Sequence, residues 1–131
     1  MKIKSLSQAI LVAQQIFKNR DKIKDVFNDS TSKSEEKKEE MGSGLFSDVK
    51  TLREMLAASF KGTYKFPKRT LIYVIAGLVY FINPFDLVPD FILGLGFLDD
   101  AAVIAFVVKK LKKEIDKFKK INNYQDVEVI L

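Results

Sequence analysis

The sequence predicts an all-α protein, a small helical bundle with a central apolar helix-turn-helix hairpin. Three observations carry this. Apolar residues recur at three- and four-residue spacing in three separate stretches. Two further stretches, LIYVIAGLVYFI and AAVIAFVV, are apolar on every side. Between these two lies a run of turn chemistry from Tyr80 to Asp100, with Pro84, Pro89, Gly94, Gly96 and four aspartates.

The length, 131 residues, suits one domain or one small domain plus an arm. There is no cysteine and no histidine. This removes disulfides, thiolate chemistry and the commonest general base and metal ligand. Any catalysis would rest on carboxylates, Lys or Tyr. The formal net charge is +5, and its placement is more informative than its size. From Thr70 to Val108 there is no Lys or Arg, only four Asp. Lys61, Lys65, Lys68 and Arg69 precede this stretch, and Lys109, Lys110, Lys112, Lys113, Lys117, Lys119 and Lys120 follow it. Basic flanks around an apolar stretch suit an anionic membrane surface, nucleic acid or a solvated helix face. The start of the chain does not read as a signal peptide, because Gln8, Gln14 and Gln15 interrupt the apolar run.

Taken in order, Leu6, Ile10, Ala13, Phe17, Ile23 and Phe27 fall on one stripe, widened by Ile16 and Val26. They predict an amphipathic N-terminal helix over residues 5–27, capped by Ser5 or Ser7. Residues 28–44 contain a single apolar side chain, Met41. Such a segment buries too little surface to offset its ordering entropy. It reads as a flexible linker, with a transient helix at residues 35–40. The helical domain then extends over residues 45–121. Leu45, Val49, Leu52, Leu56 and Phe60 predict a second amphipathic helix over residues 45–60, with Ser47, Lys50, Arg53 and Glu54 facing away and Gly62 closing it. Pro67 suits the first turn of a third helix, over residues 67–82. Asn83-Pro84 ends that helix, since Pro84 lacks an N–H and biases Asn83 away from helical geometry. A last helix over residues 100–121 carries Val108, Leu111, Ile115, Phe118 and Ile121 on one stripe. The tail, residues 122–131, reads as irregular.

The residues Asn83-Pro84-Phe85-Asp86-Leu87-Val88-Pro89-Asp90-Phe91, followed by Leu95-Gly96-Phe97-Leu98-Asp99-Asp100, carry a resemblance. The pattern P-x-D-L-x-P-D-F, a short spacer and L-G-x-x-D-D resembles the signature of the YkvA-like family, a bacterial domain of unknown function. The resemblance covers about residues 64–110. It implies a compact helical unit and membrane association, and it brings no activity with it. The signature turn is therefore Asn83, Pro84, Asp86, Pro89, Asp90, Gly96, Asp99 and Asp100.

Two readings of the apolar helices stay open. They can form a hairpin at the cytoplasmic membrane, with both termini cytoplasmic by the positive-inside rule. Thr70 to Phe85 is only 16 uncharged residues, whereas a full span needs about 20. A shallow or re-entrant hairpin thus fits better than two transmembrane helices. Alternatively, they are the centre of a soluble cytoplasmic bundle that self-associates or engages an unknown protein partner.

The aspartates also have two readings. Asp86 and Asp90 are one helical turn apart, and Asp99 and Asp100 could meet them if the turn folds back. Clustered carboxylates suit Mg²⁺ or Ca²⁺. Helix capping beside proline and glycine explains the same neighbours with no further assumption. The expectation is capping, with no cofactor, no resident metal and no enzymatic activity. Asp86, Asp90, Asp99 and Asp100 remain the weak metal candidates, and a carboxylate-metal enzyme that uses them is the third alternative. Nucleic acid is not the expected partner, because specific readers lean on Arg, and the chain has only Arg20, Arg53 and Arg69.

Overall fold

The structure is a computed structural model that describes residues 6–87 and 93–130, with side chains over residues 6–82 and 102–121. Among the described residues six helices follow in order: α1 (Leu6–Phe17), α2 (Arg20–Glu36), α3 (Lys38–Lys61), α4 (Lys68–Leu87), α5 (Leu93–Lys110) and α6 (Lys112–Ile130). The protein is all-α, as the periodicity predicts, with no strand among the described residues.

The N-terminal stripe folds as two helices, not one. Asn19 leaves helical geometry at φ −131° and ψ 109°. Its side-chain oxygen accepts the Lys22 amide at 3.2 Å and so starts α2. Ser7 lies inside α1, so it does not cap it; Ser5 lies outside the described residues.

Residues 28–44, expected as a flexible linker, are helical on either side of Lys37. The reason is how their polar groups are satisfied. Ser34 Oγ donates to the Ser30 carbonyl at 2.7 Å, and Ser30 Oγ donates to that of Phe27 at 3.0 Å. With their hydroxyls bonded to their own helix, both serines are fully buried. The apolar stripe of Ile23, Val26 and Phe27 thus continues as a narrow face that packs on α4. The helical geometry breaks at Gly42, at φ 79° and ψ 159°, a conformation that glycine tolerates and other residues rarely adopt.

Beyond that break, Leu45, Val49, Leu52 and Leu56 are buried as their spacing predicts. Arg53 is a correction: it does not face away but is buried, and its guanidinium donates to Thr31 Oγ1 at 3.0 Å. Arg20 stacks on Phe60, 4.1 Å from the ring centroid. These two contacts make α2 and α3 antiparallel. Gly62, at φ 76°, closes α3 as the sequence predicts.

Helix α4 is the axis of the bundle. It packs against α1, α2, α3 and α5, and Val74, Ile75, Ala76, Leu78 and Phe81 are fully buried. Being apolar on every side therefore describes a core helix surrounded by other helices. At Gly77 the helix lies close to α3 and α5. A Cβ built there would stand 3.4 Å from Leu52 Cδ1 and 3.5 Å from Val107 Cγ2. A methyl group fits and a longer side chain does not. Gly77→Ala is expected to stay within about 1 kcal/mol of the native protein, helped by helix propensity. Gly77→Leu is expected to lose about 1–3 kcal/mol by overpacking. Urea unfolding of the two variants checks the contrast.

The chain from α5 into α6 is nearly continuous through Leu111, whose amide donates to the Val107 carbonyl at 2.9 Å. Leu111, Ile115 and Phe118 are buried on the predicted stripe, whereas Ile121 is exposed. Phe118 meets Tyr64 edge-on at 5.3 Å and Phe66 at 5.4 Å, which ties α6 to the link before α4. The backbone of the tail, expected to be irregular, continues α6 to Ile130.

Burial pushes the Asp48 carboxyl above the ordinary carboxylate range, and the charge of Lys119 opposes this in part. A carboxyl with a raised folded-state pKa holds its proton more tightly when folded. Its contribution therefore falls as pH rises through the window above its ordinary value of 3.8. Asp48→Asn removes this pH dependence. The stability of the variant relative to the native protein is expected to be higher at neutral pH than at pH near 3.8, as checked by unfolding at both pH values.

Candidate functional site

Two sites adjoin the ends of α4. The first is the signature turn. Asn83, Pro84 and Asp86 belong to the backbone of α4, and Gly96, Asp99 and Asp100 to that of α5, which begins at Leu93 and not at residue 100, so Asp99 and Asp100 lie within the helix and do not cap its start. Pro89 and Asp90 lie outside the described residues, as do the side chains of the other six. Among the described residues no group of three potential metal ligands occurs; the four candidate aspartates are outside that set.

Asn83-Pro84 does not end α4, which continues to Leu87. A proline inside a helix crowds the carbonyl one turn back and weakens the turn it enters. A side chain from α2 reinforces that turn. Lys33 is buried, and its Nζ donates to the Phe81 carbonyl at 2.7 Å and to the Ile82 carbonyl at 3.0 Å. The same ammonium stands 5.1 Å from the Phe81 ring centroid. Lys33 thus brings a positive charge to the edge of a segment that has none of its own. Sequence reasoning missed it because it sits in a polar run. The available signal was register: Val26, Ser30, Lys33 and Ser34 continue the helical spacing from Ile23.

Arg53 is a second buried cation that the sequence did not reveal. Burial lowers its pKa, while Glu35 and Glu54 act to raise it. Its Nε has no hydrogen-bond partner among the described residues.

The second site is at the opposite end of the hairpin. The antiparallel run of α4 and α5 brings Arg69, from the start of α4, beside Lys109 and Lys110, from the end of α5. With Tyr73, Lys112 and Lys113 they line an open groove of about 780 Å³. Five cations face two carboxylates, Glu114 and Asp116. Asp116 pairs with Lys112 at 3.3 Å, an exposed pair one helical turn apart. Lys110 lies over the Tyr73 ring at 5.1 Å. One turn before Lys109 and Lys110, Phe106 projects from α5 with half of its surface exposed, 51%. The basic flanks seen in the sequence thus converge on one end of the bundle, next to an exposed aromatic side chain.

Such geometry defines a class: a small helical bundle whose core hairpin carries a proline- and aspartate-rich turn at one end and a basic groove at the other. Comparison with known proteins narrows it. The family described as Protein of unknown function (DUF1232) matches residues 70–106, which hold most of α4, the signature turn and most of α5. An uncharacterized membrane protein, YkvA of Bacillus subtilis (strain 168), is 38% identical over 73 residues, covering 55% of this chain and 69% of the relative. The chain belongs to the YkvA-like family. No solved structure matches it.

Proposed function

We propose that this is a non-enzymatic, membrane-associated helical protein that docks at the cytoplasmic face of a membrane with its bundle intact. The convergence of Arg69, Lys109, Lys110, Lys112 and Lys113 beside the exposed Phe106 carries this reading. Lysines near an anionic surface contribute about 1 kcal/mol each. An aromatic ring beside them suits the headgroup level. The relative's description as a membrane protein agrees with it.

Docking is favoured over insertion of the hairpin on energetic grounds. Among the described residues, no helix is long and apolar enough to cross a membrane. Withdrawing α4 into lipid would also strip the buried faces of α1, α2 and α3 of their partner. Ala9, Ala13, Val49, Leu52 and Met55 would then meet water, and exposing each larger side chain costs roughly 1.5–3 kcal/mol. The hairpin instead approaches the membrane by its basic end while its apolar sides stay in the core.

A second reading rests on a different surface. Ile23, Phe27, Leu56, Ala57 and Phe60 line an apolar groove of about 190 Å³ between α2 and α3. It suits a soluble interaction or regulatory module that self-associates or takes a protein partner.

Fractionation of cells expressing the full chain tests the two. Docking is expected to place the protein with the membranes at low salt and to release it by high salt or alkaline carbonate without detergent. Recovery in the soluble fraction from the outset would favour the interaction module. Release by detergent alone would restore the inserted hairpin.

A further inference from the structure

We propose that the groove between the start of α4 and the α5–α6 junction is a binding site for the headgroups of anionic phospholipids. Arg69, Lys109 and Lys113 are its contacting cations, and Phe106 is seated in the interface beside them. This inference rests on the docking reading and names its ligand and its residues.

The cations of the groove are not equivalent. Lys112 is held by Asp116 at 3.3 Å, and Lys110 lies over Tyr73. Arg69, Lys109 and Lys113 are exposed, and Lys112–Asp116 is the ion pair of this groove among the described residues. Lys109 and Lys113 are four apart across the α5–α6 junction, which keeps nearly helical spacing through Leu111. Arg69 faces them from the other arm of the hairpin. A planar guanidinium binds phosphate oxygens in pairs, while the lysines act as point charges on flexible stems. Ala102, Ala105 and Phe106 form the exposed side of α5 just ahead of these lysines. A bilayer surface has the matching arrangement, with phosphates outside and hydrocarbon beneath. Free phosphate would use the cations but would leave Phe106 in water. Duplex nucleic acid offers phosphates without an apolar layer for that ring.

The test uses the purified full chain and vesicles of two compositions: phosphatidylcholine alone, and an equal mixture of phosphatidylcholine and phosphatidylglycerol. Two triple variants with the same change in charge are compared, R69Q/K109Q/K113Q in the groove and K22Q/K24Q/K50Q at exposed positions elsewhere. Circular dichroism verifies that both keep native helicity. The native chain is expected to co-sediment with the mixed vesicles and not with phosphatidylcholine. The groove variant is expected to lose about a hundredfold in affinity, and the control variant less than about tenfold. Equal losses in the two variants would show that binding follows net charge and would overturn the groove while leaving docking in place. Unchanged binding by the groove variant would do the same. Failure of the native chain to bind mixed vesicles would overturn docking and groove together. Tighter binding to a short DNA duplex than to mixed vesicles, lost in the groove variant, would replace the lipid with nucleic acid.

Discussion

Truncating Phe81 to alanine is expected to destabilise the protein by about 3–5 kcal/mol, the usual cost of removing a large aromatic side chain from a closed core. Phe81 is the largest of the fully buried side chains among the described residues. It belongs to the turn of α4 that leads into Asn83-Pro84, and its ring also faces the Lys33 ammonium. Natural domains hold roughly 5–15 kcal/mol in all, so this variant should approach the edge of folding. The shift of the urea midpoint, at unchanged slope, measures it. A loss below about 1 kcal/mol would mean that α4 is loosely held. The hairpin would then be free to leave the bundle.

Replacing Lys33 by methionine should cost nearly as much, for a different reason. Methionine keeps the apolar stem and removes the ammonium, so the Phe81 and Ile82 carbonyls lose their donors from α2. Hydrogen bonds from charged groups are worth about 1.5–3 kcal/mol each, and here they add to the intrahelical bonds that α4 makes through Leu87. A loss of roughly 3 kcal/mol is expected. It should couple with Phe81→Ala in a double-mutant cycle, because the two side chains touch. The opposing effect is the desolvation of the ammonium, which makes some buried charges replaceable by apolar residues at no cost. A methionine variant as stable as the native protein would show that desolvation cancels the bonds. Lys33 would then not be what supports the proline turn.

The fold was legible where apolar spacing carries it. Leu45, Val49, Leu52 and Leu56 mark one face of α3, Leu111, Ile115 and Phe118 mark one face of α6, and Gly62 marks the end of α3. It was not legible where burial proceeds through polar groups. Ser30, Lys33, Ser34 and Arg53 are buried with hydrogen bonds to backbone or to Thr31. Hydropathy scores each of them as solvent-facing, although three of the four keep helical register with Val26. That is why residues 28–36, part of the stretch 28–44 expected as linker, fold as helix. Proline misled in a similar way. Its local effect is to end helices, and the tertiary contact from Lys33 to the turn before Pro84 is not a local property. The signature was read as a family mark from its residues alone, and the family match confirms that reading. The groove was half legible. The basic flanks were evident as composition, but Arg69 and Lys109 are distant in sequence, and only the hairpin makes them neighbours.

The end of the bundle proposed to face the membrane can be tested with one reporter. The chain contains no tryptophan, and Phe106 is exposed, so Phe106→Trp introduces a single tryptophan, excited apart from the tyrosines, without disturbing the core. On addition of anionic vesicles its emission should move to the blue. Quenchers placed at about 5–10 Å below the headgroups should extinguish it more than quenchers at the bilayer centre. Unchanged emission from protein that sediments with the vesicles would place the docking surface elsewhere, and preferential quenching at the bilayer centre would mean that the hairpin inserts.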